Sequence, residues 1–141
     1  MATVDEYNNV FEHVQFHPKS YTGTATGATG VDTAGFESVT FIMTTGVVGA
    51  TGSRRLALRD SDDDVTYAPV VNTEYIVNIL GSTYASGVTG ADDNKVYRVG
   101  YVGPKRYVKA AVVASAASNV AFLSVICQLG RPHVAPTPPN E

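Results

Sequence analysis

Four sets of residues in this 141-residue chain have types and spacings that could do chemistry. Asp60-x-Asp62-x-Asp64 matches the first half of a calcium-binding loop, in which alternate carboxylates face one ion. Such a loop also needs Gly at its sixth position and a bidentate acid at its twelfth, and Val65 and Val71 stand there instead. A looser oxygen site would need Asp92 or Asp93 to fold close, and a solvated turn is the simpler account. His13 and His17, four apart, share one face of a strand or a helix, with only Glu12 nearby to complete a metal set, so ordinary surface or half-buried histidines are favoured. Cys127 lies among Val125, Ile126 and Leu129, which reads as a buried, inert thiol with no base beside it. No Ser-His-Asp or Cys-His pairing can be argued, and nothing in the chain looks catalytic.

The three G-x-T-G tetrads at Gly27–Gly30, Gly49–Gly52 and Gly87–Gly90 are unequally spaced. A phosphate cradle needs a strand before it and a helix N-terminus after it. None of the tetrads is followed by Gly-Lys-Ser/Thr or a convincing helix, so reused turn chemistry is the better reading. The fourth set is basic: Lys95, Arg98, Lys105, Arg106 and Lys109 fall in one expected fifteen-residue hairpin. They are either solubilising charges at strand ends or a docking patch for an acidic surface, with Tyr97, Tyr101 and Tyr107 as anchors.

The elements that would position these residues are strands. Lys95 to Leu129 is dense in Val, Tyr, Ile and Phe, and is cut at Gly103-Pro104 and again at Ser115–Asn119. It reads as three consecutive strands paired as an antiparallel meander. Phe36 to Val48 forms another strand, with Val39, Phe41 and Met43 inward and Glu37 outward. Arg55 to Arg59 alternates, with Leu56 and Leu58 inward, and the acidic turn leads into Val65–Val71 as a hairpin. Thr73 to Leu80 fits either a helix or a strand, and its β-branched content favours a strand. Near the start, Val10, Val14 and Phe16 share a period-two face, with Phe11 opposite. The expected organisation is an N-terminal arm and short strand over 1–18 and a Gly/Thr-rich mobile loop over 19–35. A single antiparallel β-sandwich of jelly-roll or immunoglobulin-like type follows over 36–130, with an extended Pro-rich tail over 131–141.

Composition bounds the function classes. Hydrophobic residues make up 44% and charged residues 16%, a globular balance. A net charge of −3 argues against direct nucleic-acid binding. One cysteine excludes an internal disulfide framework. The start MATVDEYNNV has neither the basic beginning nor the apolar core of a secretion signal, so synthesis in the cytoplasm is expected. Ala110–Leu129 is uncharged, yet five polar residues interrupt it, and two buried strands explain it better than a membrane span. No metal or cofactor is expected.

The phrases "GVDTAGFESVTFIM", "LALRDSDDDVTYAPV" and "VYRVGYVGPKRYVKAAVV", closed by Gly-Arg-Pro-His, resemble small β-sandwich proteins of tailed bacteriophages. In that family a D-x-A-G-(Y/F) phrase precedes the first core strand, a Ser-Asp-Asp turn precedes Thr-Tyr/Phe, and a Tyr-x-Gly-x-Lys-Arg-Tyr hairpin follows. Here these are Asp32 to Phe36, Ser61 to Asp63 with Thr66-Tyr67, and Tyr101 to Tyr107. The likeness covers about Val31 to His133 and rests on turns and strands rather than on an active-site motif. It implies a non-enzymatic virion protein, with capsid decoration or cement proteins the most similar cases. The major capsid protein would be the partner, and the capsid surface the location after synthesis in the host cytoplasm. A three-fold shell position would suggest a homotrimer. The capsid-docking candidates are then Lys95, Arg98, Tyr101, Lys105, Arg106, Tyr107 and Lys109. A head–tail joining or tail protein is the alternative. A carbohydrate-binding or adhesion module is a third reading, disfavoured by the absence of Trp and of a secretion signal.

Overall fold

The computed structural model describes residues 8–78, 89 and 91–134. They form ten strands: β1 (Val10–Thr22), β2 (Ala25–Thr26), β3 (Val31–Asp32), β4 (Phe36–Val48), β5 (Arg54–Ser61), β6 (Ala68–Pro69), β7 (Ile76–Val77), β8 (Val96–Tyr101), β9 (Tyr107–Ala114) and β10 (Val120–Pro132). A single 3-10 turn, Thr73–Tyr75, precedes β7. One sheet runs β1-β10-β4-β8-β7; the other runs β2-β9-β5-β6, with β3 also on β9, and every pairing is antiparallel. The protein is an all-β sandwich.

Period-two alternation builds the core between the sheets. Phe41, Met43, Val99, Leu123, Val125 and Cys127 of the first sheet meet Leu56, Leu58, Val108, Ala110 and Val112 of the second, all buried. At roughly 1.5–3 kcal/mol for each large apolar side chain, this layer is the main stabilising term. Burial pushes the Cys127 thiol up to about 12, which keeps it protonated and unreactive. Among the described residues no helix is long and apolar enough to cross a membrane. The uncharged Ala110–Leu129 stretch is divided between β9 and β10, in opposite sheets.

Several expectations need correction. The three strands of the Lys95–Leu129 block exist, but not as a meander: β8 and β10 lie in one sheet and β9 in the other. Alternation marks which face of a strand is inward and carries no information about its neighbour, so pairing was not readable from it. The first strand is not short, since β1 runs thirteen residues to Thr22. Its inward residues are Phe11 and Phe16, while Val14 is exposed, because a bulge between Val14 and Phe16 switches the alternation. Residues 19–35 are not one long loop. They hold the end of β1 with β2 and β3, both laid along β9. Arg131 and Pro132 extend β10, and the His133 amide donates to the Gly35 carbonyl at 2.8 Å. The arm over 1–7, most of the 79–90 loop with its third tetrad, and the tail beyond Val134 lie outside the described residues.

The break between β2 and β3 is sealed by a side chain. Beyond Gly27, whose amide still donates to the Ala110 carbonyl at 2.9 Å, residues 28–30 leave the β9 ladder, and the buried Gln15 side-chain carbonyl accepts from the Ala110 amide at 3.0 Å. Gln15 Nε2 donates to the Thr29 carbonyl at 3.2 Å. A side chain from the bulge of the first sheet thus completes the hydrogen bonding of the second.

Candidate functional site

The loops that carry the resemblance converge at one end of the sandwich. Tyr107 opens β9 and pairs with Ser61 of β5 and Asp32 of β3, bringing all three phrases into adjacent strands. The carboxylates of the acidic turn diverge. Asp60 Oδ2 accepts from the Tyr101 hydroxyl at 2.9 Å, Asp62 pairs with the Lys105 ammonium, and Asp64 accepts from the Tyr67 hydroxyl. Asp63 faces its own turn, accepting from Ser61 Oγ at 2.7 Å and from the Val65 and Thr66 amides at 2.9 and 2.8 Å. The Thr66 amide, followed by the Ser61 hydroxyl and the Val65 amide, lowers the Asp63 carboxyl to about 2. Four acids therefore serve four different partners. Among the described residues no group of three His, Cys, Asp or Glu side chains is placed to hold a metal ion.

The same end holds most of the basic candidates, each occupied. Arg106 forks onto Asp32 through Nε at 2.9 Å and Nη2 at 2.6 Å, while its carbonyl accepts from the Thr33 amide and hydroxyl at 3.0 and 2.8 Å. That contact holds the Arg106 guanidinium above its ordinary value and the Asp32 carboxyl below its own. Arg106 also lies 5.1 Å from the Tyr107 ring centroid. Lys109 Nζ sits 3.8 Å above the Tyr67 ring. Gly30 makes room for that ring, since a Cβ there would stand 1.7 Å from the Tyr67 hydroxyl oxygen. Tyr101 is only 4% exposed, with Lys105 N–H donating to its hydroxyl at 3.2 Å. Burial is the main reason its phenol, like that of Tyr67, is raised well above the usual range.

The remaining candidates lie elsewhere. Lys95 stands at the other end of β8, paired with Asp92 at 2.8 Å. Arg98 is exposed on the outer face of the first sheet, opposite Ile42. The single basic patch with tyrosine anchors is thus corrected on two counts. The seven residues occupy three places, and Tyr101 is buried in the body rather than offered to a partner. Lys105, Arg106 and Lys95 carry acidic partners from their own chain, which sequence spacing did not reveal because Asp62, Asp32 and Asp92 approach through turns.

His13 and His17 do not share a site. His13 Nδ1 lies 3.1 Å from Gln15 Nε2, while His17 is exposed.

At the opposite end lies a buried arginine outside the sequence candidates. Arg54 is 1% exposed. Its Nε donates to Asn119 Oδ1 at 2.8 Å, Nη1 to the Gly23 carbonyl at 3.0 Å, and Nη2 to the Tyr21 carbonyl at 2.6 Å and to the Asn119 carbonyl. The guanidinium holds β1, β5 and the β9–β10 turn together through neutral oxygens, and burial lowers its affinity for a proton. Its signal was available: counting back by two from Leu58 and Leu56 puts residue 54 on the inward face.

Neither a family model nor a curated protein matches this chain.

Proposed function

We propose that this protein is a structural virion component that decorates and cements the capsid shell of a tailed bacteriophage by binding the major capsid protein. The observation that carries the reading is the convergence at one end. Asp32, the Ser61–Tyr67 turn and Tyr101–Tyr107, which carry the likeness to phage sandwich proteins, are locked to one another. The phrases that define the resemblance are thus the ones that stiffen the body, which suits a part that must hold its shape in a lattice.

Both described chain ends leave from this same end, since Val10 pairs with Gly130 and His133 bonds to Gly35. A cement protein present in many copies on a shell gains from such stiffness, because many modest contacts add through avidity. Charged groups in an interlocked shell of internal pairs are positioned for stiffness and shape rather than for proton transfer.

Quantitative gel analysis of purified virions tests the proposal. A copy number comparable to that of the major capsid protein is expected. A handful of copies would overturn the cement role and favour a head–tail joining or tail protein, and absence from the particle would overturn both.

A further inference from the structure

We draw no further inference here: the strongest candidate, the set of apolar residues Val14, Val77, Val96 and Phe122 exposed at the margins of the outer face of the first sheet, carries nothing because the centre of that face is a mixture of Ser, Thr, Gln and half-buried Ile and nothing in the structure shows what covers it.

Discussion

Arg54 Nε donates to Asn119 Oδ1 at 2.8 Å inside the sandwich, joining the first residue of β5 to the turn before β10. Asn119 is itself fully buried, and its Nδ2 donates to the Thr51 carbonyl. The pair closes the end of the molecule opposite the interlocked acidic turn. The guanidinium gathers carbonyls from the β1–β2 turn and from the β9–β10 turn, so removing either partner leaves buried polar groups unsatisfied.

Asn119→Ala should destabilise the fold by about 2–3 kcal/mol, since each buried polar group left unpaired costs about 1–3 kcal/mol. Arg54→Lys should also be destabilising, because one ammonium cannot reproduce the fork that serves Gly23, Tyr21 and Asn119 at once. Urea titration followed by far-ultraviolet circular dichroism measures both. Wild-type midpoints would mean that the end rearranges without loss.

Gln15→Ala should cost about 1–3 kcal/mol by leaving the Ala110 amide without its acceptor. Local reporting is more telling than the total. Hydrogen exchange should speed up at Ala110 and at Gly27, whose amide donates to the Ala110 carbonyl at 2.9 Å. Uniform acceleration over the whole chain would mean that Gln15 does not act as the seal between β2 and β3.

The acid limb of the stability profile should carry the mark of Asp63. Its carboxyl is lowered to about 2 in the folded chain, against about 3.9 when unfolded. A lowered folded value means that the folded state binds the proton less readily. The contribution is therefore complete above about pH 4 and is lost as pH falls toward 2. Asp32 and Asp92, lowered chiefly by hydrogen bonds from Arg106 and Lys95, act with the same sign. Asp63→Asn keeps an acceptor for the Val65 and Thr66 amides and removes the titration, so melting temperature should fall less steeply between pH 4 and 2. An unchanged slope would assign acid sensitivity to other carboxylates.

Much of the sandwich was legible because burial writes itself into alternation. Val39, Phe41, Met43, Leu56 and Leu58 are inward as their spacing demands. Three things were not written in that pattern. Bulges change parity without a composition signal, which is why Val14 and Phe11 exchange faces. Pairing partners depend on loops that cross between sheets, so adjacency in sequence suggests β9 beside β8 although β9 lies in the other sheet. The small residues of 19–35 bury little apolar area, which points to a mobile loop, yet backbone bonds to β9 and the Gln15 amide hold them. The site fared similarly. The basic residues were visible as a run, but their acidic partners lie 3 to 74 positions away.

Those partners bear on how the protein would hold a shell. A basic patch read from sequence would make attachment salt-sensitive, because added ions screen exposed charges within about 8 Å at physiological ionic strength and about 3 Å at 1 M. Lys95, Lys105 and Arg106 are already neutralised by Asp92, Asp62 and Asp32 of the same chain. Little net positive field is left at these residues to attract an acidic capsid surface, and breaking an internal pair to form an external one gains almost nothing in water. On the proposed cement role, attachment should therefore rest on shape and apolar contact, and such contact is not weakened by salt. Particles washed at about 0.15 M and at 1 M sodium chloride should retain the same amount of this protein after sedimentation. Arg106→Ala should leave retention nearly intact while lowering the melting temperature of the free protein, because it frees Asp32 and removes the guanidinium from Tyr107. Release of the protein at high salt, or loss of binding in Arg106→Ala with an undisturbed melting temperature, would return the basic residues to the role of docking contacts.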